Sequence, residues 1–246
     1  MTLSPFINSG ARRPPRRRVL RRVIRDVSSV LIISGVLLIL DAGATLIWQE
    51  PVTAVIAMIR QGQVDKRYLS FTTAPLTRTE RHALVTLHKS GDRVAFLARR
   101  EQRQVRTGDA IGRIVIPRIS ASYDVVQGDD DRSLQKGPGH YPETALPGLG
   151  RTVAIAGHRT TYLAPFRHID ALRPGDQIIV EMPYARFTYV VQFQRIVLPT
   201  ALWVTRDVGY ERLVLSACNP LYSAAQRIIV FAHLRSAVAT SVRGGT

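Results

Sequence analysis

A chain of 246 residues, 46% of them hydrophobic, is long enough for one compact domain plus accessory segments and too apolar to be disordered. Its 34 Lys and Arg against 18 Asp and Glu give a net charge of +16. No zinc-finger spacing, RNP-like motif or basic region leading into heptads accompanies that charge, which argues against nucleic-acid binding.

The charge is concentrated at the start. Eight arginines fall between Arg12 and Arg25, immediately before the run VSSVLIISGVLLILDAGATLIW from Val27 to Trp48. About 20 apolar residues cross the ~30 Å of hydrocarbon as a helix. Basic residues before such a span favour a cytoplasmic N-terminus, and Trp48 suits the far interface. We therefore expect an Arg-rich cytoplasmic segment (1–26), a single-pass membrane anchor (27–49) and everything beyond it outside the cell. A cleaved signal peptide is the rival reading, with Asp41-Ala42-Gly43-Ala44 as its best small-residue stretch. The length of the apolar run and the exit Trp48-Gln49-Glu50-Pro51 favour a retained anchor. Asp41 inside the span is expected to be protonated or close to the outer interface.

Residues 50–108 read as a helical stalk. Thr79 with Glu80 suits a helix start, with Leu84, Leu87 and His88 on one face, and a second helix is expected over Arg93–Val105, with Gly91 between the two. From Gly108 the texture becomes short β-type runs broken by Gly and Pro. Expected strands are Arg113–Ile116, Tyr123–Val126, Thr152–Ala156, Gln177–Glu181, Arg186–Phe193, Arg195–Leu198, Arg212–Ala217 and Arg227–His233. Eight short strands without long intervening helices predict a mostly β fold, a closed barrel over 109–238 with a short tail at 239–246.

Cys218 is the single cysteine, which excludes an intramolecular disulfide and a two-Cys metal site. Outside the membrane an unpaired thiol is exposed to oxidation, so its presence asks for a reason, and catalysis is one. It follows Leu213-Val214-Leu215 and precedes Asn219-Pro220, so it sits where a strand ends. A cysteine nucleophile acts as its thiolate and needs a cationic or proton-accepting neighbour. His158 follows the apolar run Val153–Ala156 in the same way, and two paired strand ends would bring imidazole and thiol together. His82, His88, His140, His168 and His233 compete; His140, read as a turn residue, could approach the site. Arg227 opens an apolar run and is either a solvated strand end or a group that stabilises an oxyanion. The run Asp129-Asp130-Asp131 is read as a solvated loop rather than a calcium site, and no metal is expected.

The order of these pieces resembles the sortase family over Gly112 to Leu234. Four stretches carry the resemblance: Ile114-Val115-Ile116-Pro117; LQKGPGHYP over Leu134–Pro142; AIAGHRTTY over Ala154–Tyr162 with Pro165-Phe166; and Leu215–Leu234, with Cys218-Asn219-Pro220 and then Arg227. GHRTTY with CNP is most similar to class E. One departure is that Val214-Leu215-Ser216-Ala217-Cys218 lacks the threonine that sortases usually carry before the nucleophile. The resemblance implies a sortase-like barrel and a cysteine transpeptidase with catalytic His158, Cys218 and Arg227 and no cofactor. The implied partners are secreted proteins with an LPXTG- or LAXTG-type sorting signal, and a peptidoglycan-precursor or pilin amine as acceptor. Tyr162, Phe166, His140, Ser216 and Ala217 are the candidate substrate-binding residues. Pilin polymerisation is disfavoured, since no Asp-Pro dipeptide of a lid occurs in the chain. A non-catalytic sortase-like binding module is the reading from another class, and Ala217 alone supports it.

Overall fold

The structure is a computed structural model that describes residues 16–48 and 76–240, together with residues 55, 58, 59, 61 and 62. Most of the expected cytoplasmic arginines' side chains, most of the linker at 49–75 and the tail from 241 lie outside the described residues. The chain divides into two units, Met1–Trp48 and Gln49–Thr246.

The first unit holds α1 (Arg16–Trp48), within which Leu20–Gly43 has a mean hydropathy of 2.2 and is long and apolar enough to cross a membrane. Its large apolar side chains, Leu31 and Ile39 among them, are exposed rather than packed in a protein core.

The second unit opens with α2 (Arg78–Thr86) and α3 (Ser90–Gln104). Thr77 caps α2: its hydroxyl accepts from the Glu80 backbone N–H, and the Glu80 carboxylate accepts from the Thr77 N–H, the reciprocal pattern of a capping box. The helix therefore starts two residues earlier than Thr79–Glu80 suggested. Gly91, expected between the helices, lies in the first turn of α3. Val94 and Ala98 of α3 are buried in the same core as the strands. This helix thus packs on the domain rather than standing off as a spacer.

Eight strands follow: β1 (Ala110–Ile116), β2 (Ala121–Gln127), β3 (Gly139–His140), β4 (Val153–Ala156), β5 (Gln177–Met182), β6 (Ala185–Val197), β7 (Arg212–Asn219) and β8 (Gln226–Ala239). They close into a barrel in the order β1-β2-β3-β4-β7-β8-β6-β5. Closure removes the unpaired edges that an open sheet would leave.

Eight strands were expected, but two differ from those read in the sequence. Arg186–Phe193 and Arg195–Leu198 are one strand, β6, whose register against β8 shifts between Val191 and Phe193. The extra residue there is Gln192, and the strand runs on through polar Gln194, which reads in sequence as a break although it pairs regularly with Val230. Conversely, GPGHYP contains β3, only two residues long, pairing parallel with β2 and antiparallel with β4. A two-residue strand between Pro138 and Pro142 has no periodicity to read.

Side chains alternate across each strand. Leu213, Leu215 and Ala217 of β7 face the barrel interior with Ile114, Ile155 and Phe187. Val214 joins an outer cluster with Ala154, Ile229 and Phe231, partly covered by Val204 from the short 3-10 helix Leu202–Thr205. The outer face of β4, β7 and β8 is where Ser216, Cys218 and Arg227 fall by this alternation.

Candidate active site

β4 and β7 run parallel, with Val153 opposite Leu213 and Ala156 opposite Ser216. Their last shared bond is Gly157 N–H to the Ser216 carbonyl at 3.0 Å. His158 follows two residues after Ala156, at the same end of the barrel as Cys218, which follows two residues after Ser216. On the other side of β7, antiparallel β8 places Arg227 directly opposite Cys218. Three groups from three segments thus lie at one end of the barrel, because a parallel pair puts two strand ends at the same rim and the antiparallel neighbour starts there.

Cys218 is half-buried, as a nucleophile on a rim must be. His158 is half-buried too; its Nε2 is enclosed and has no hydrogen-bond partner among the described residues. Burial pushes the His158 pKa below its ordinary value, against a weaker upward pull from the Asp131 charge. The ring is therefore neutral at pH 7 and able to accept a proton. The Arg227 Nη1 donates to the carbonyls of Ala224 and Gln226, both at 3.0 Å, while Nε and Nη2 donate to no protein group among the described residues. Those N–H groups can serve an oxyanion forming near the Cys218 sulfur.

The candidate substrate-binding residues separate. Ser216 lies on the outer face and hydrogen-bonds with the Tyr141 hydroxyl. The Tyr162 ring packs against the His158 imidazole, centroids 5.3 Å apart. The other three do not face a groove. Ala217 is 3% exposed and points into the barrel, because it is one residue out of phase with Cys218. The missing hydroxyl therefore bears on core packing and not on a substrate surface. Phe166 is fully buried beneath the loop, its ring against the Gly157 backbone. His140 is a strand residue 1% exposed: Nδ1 lies 2.9 Å from Gln127 Oε1, and Nε2 lies 3.0 Å from the Ala145 carbonyl and 3.2 Å from Thr144 Oγ1. Burial lowers its pKa to about 4, so it is a neutral structural ring, and the approach to the site expected of it is not observed.

Its neighbour Tyr141 is the residue that sequence reasoning missed. It packs on the outer cluster, and its phenol feels the charges of Cys218 and Arg227, although burial is what chiefly raises its pKa. The strand alternation of β3 turns His140 inward and Tyr141 outward, a signal hidden by the shortness of the strand. Among the described residues no group of three or more His, Cys, Asp or Glu could hold a metal ion.

A model of the sortase domain matches residues 114–235, which contain all three rim groups. The structure of sortase E from Streptomyces avermitilis is 32% identical with a TM-score of 0.51, covering 57% of this chain and 97% of that one. The chain belongs to the sortase family. Sortase members are cysteine transpeptidases. Sortase D of Bacillus subtilis is 33% identical over 129 residues, which is 51% of this chain and 64% of that protein. SrtE1 of Streptomyces coelicolor is 29% identical over 140 residues, 50% of this chain and 40% of that protein. The chain thus spans less than two thirds of the length of these curated relatives. Sortase E1 from Streptomyces coelicolor, solved with a tripeptide in its active site, has a TM-score of 0.53 at 27% identity.

Proposed function

We propose that this sortase is a membrane-anchored transpeptidase that cleaves the Thr-Gly bond of an LPXTG- or LAXTG-type sorting signal. It then transfers the acyl group to a cell-wall amine. The observation that carries this reading is the rim register: Cys218 opposite Arg227, with His158 on the parallel neighbouring strand end. His158 takes the thiol proton as the Cys218 sulfur attacks the threonine carbonyl, and Arg227 holds the resulting oxyanion. Collapse expels the glycine amine, which receives that proton from His158, and leaves a thioester on Cys218. The incoming amine attacks the thioester and gives its proton to His158, and the thiol is restored. A thioester suits this sequence because it keeps the acyl group activated until an amine captures it.

The helix with window Leu20–Gly43 supports the membrane anchor, and the arginines before it support a cytoplasmic N-terminus. GHRTTY with CNP, together with the likeness to the two Streptomyces sortase E structures, supports class E.

The full-length chain in detergent micelles, incubated with fluorogenic LPXTG and LAXTG peptides and triglycine, tests the reading. Wild type should give an amine-linked product by mass, and Cys218→Ala should give none. No product and no thioester on either peptide, with a slowly alkylating Cys218, would support a non-catalytic binding module instead.

A further inference from the structure

Of the three rim groups, two are fixed by the sheet. Cys218 and Arg227 face each other across an antiparallel ladder that continues inward through Ala217–Ile228 and Ser216–Ile229. His158 lies beyond the last β4–β7 bond, in a loop whose Tyr162, Leu163 and Ala164 have φ of 49°, 67° and 43°. Non-glycine residues in that region cost of order 1–3 kcal/mol each and persist only where surrounding contacts dictate them. Something must hold this loop against β7.

The geometry points to Arg159. It follows His158 directly in the chain, and its side chain is 3% exposed. Nε donates to the Arg167 carbonyl at 3.2 Å, closing the loop on itself. Nη1 donates to the Cys218 carbonyl at 3.4 Å and to Asn219 Oδ1 at 3.2 Å. Nη2 pairs with Asp170 Oδ2 at 3.0 Å, on the short 3-10 helix Ile169–Ala171 that ends the loop. One planar guanidinium thus ties the residue after the histidine to the nucleophile's own backbone and to the far end of the loop. A rigid fork can serve three directions at once where a lysine ammonium cannot hold the same geometry.

We propose that Arg159 is a positioning residue that carries the register of the β7 end into the histidine loop and so sets His158 against Cys218. This rests on the sortase reading of the site. Arg159 performs no chemistry; it acts through the placement of His158, where a displacement of about 1 Å can cost ~100-fold in rate.

The test uses the full-length chain in detergent micelles with Arg159→Lys, Asp170→Asn and Asn219→Ala. Arg159→Lys retains the charge and loses the fork. We expect its kcat for the sorting peptide to fall about 100-fold with KM within about twofold. The His158 ring titration, followed by NMR, should move up toward the ordinary 6.5 as the loosened loop admits water. Since the charge is kept, that movement reports exposure and not lost repulsion. Asp170→Asn removes the charge of one partner and Asn219→Ala removes one acceptor, and each should shift both readouts less, in the same direction. An Arg159→Lys enzyme with kcat within twofold of wild type and an unmoved His158 titration overturns the proposal. If that variant does not fold, unchanged kcat and titration in the other two overturn it instead. If wild type turns over no peptide, the functional reading fails separately, and the His158 titration in the three variants alone upholds or overturns the positioning role.

Discussion

The two sides of the candidate site are built by different means. On one side, Cys218 and Arg227 sit on β7 and β8, whose ladder holds them in register through eight consecutive residue pairs. On the other, His158 hangs from a loop with three left-handed non-glycine residues, held by Arg159, by the Phe166 N–H bond to the His158 carbonyl at 3.0 Å, and by the Tyr123 hydroxyl on the Leu163 carbonyl at 3.3 Å. The difference teaches where this site is vulnerable. Sheet residues are placed by many weak, redundant bonds, so single changes are absorbed. Loop residues are placed by a few side chains, and each one matters.

Changes beneath the loop should break the contrast most strongly. Phe166→Ala empties a fully buried ring site and should cost about 3–5 kcal/mol, read as a lower denaturant midpoint. If the cost stays below ~1 kcal/mol, the loop is not anchored by that ring.

His140 supports the strand that carries the histidine loop, since it pairs with Ile155 of β4. Its folded pKa of about 4 lies below the ordinary 6.5. The unfolded chain therefore takes up a proton first as pH falls. Stability contributed by the neutral ring is full above pH 6.5 and is lost on descending toward pH 4, by on the order of 3 kcal/mol. Denaturant midpoints at pH 7, 6, 5 and 4 check this, and His140→Gln should flatten the dependence.

Gly157→Ala sharpens the comparison, because it touches only the loop side. An added Cβ would lie 2.5 Å from Phe166 Cδ2, closer than real contacts allow, so the ring or the loop must shift. We expect a stability loss of about 1–3 kcal/mol, a fall in kcat and a Cys218 alkylation rate within about twofold of wild type. An alkylation rate that collapses with kcat would show that the two sides are not independent.

Glu101 serves as a control remote from both. It is buried on α3, its Oε1 has no partner among the described residues, and burial raises its pKa. Stability from its protonated form is present below the ordinary 4.5 and is lost as pH rises through the folded value. Glu101→Gln should raise Tm at pH 7, by at most ~1 kcal/mol in stability terms, with the gain vanishing near pH 4 and kcat unchanged.

Much of the rim was legible in the sequence. Cys218 before Asn219-Pro220 and His158 after Val153–Ala156 are strand ends marked by the residues that follow, and the parallel pairing of β4 with β7 makes them neighbours. Arg227 was readable only through the family resemblance, since a basic residue before an apolar strand has no distinct pattern. Which side chains face the substrate was misread at Ala217, His140 and Phe166 for separate reasons. Ala217 falls out of phase with Cys218 by one residue. His140 lies on a strand too short to show alternation. Phe166 is swung under the loop by a left-handed turn that no residue type announces, since Tyr162, Leu163 and Ala164 are not glycines. Arg159 drew no reading in the sequence, because two of its partners, Cys218 and Asn219, lie some 60 residues away.

The chain order of the barrel carries a consequence for the enzyme's birth. His158 is made long before its partners, and its strand has no neighbour on that side until β7 arrives; Arg227 comes last, on the strand that completes the site. A polypeptide still being made therefore holds an isolated imidazole and then a thiol without its guanidinium. The candidate site is complete only once that last strand has been added, so the chain carries it unfinished for nearly the whole of its own synthesis.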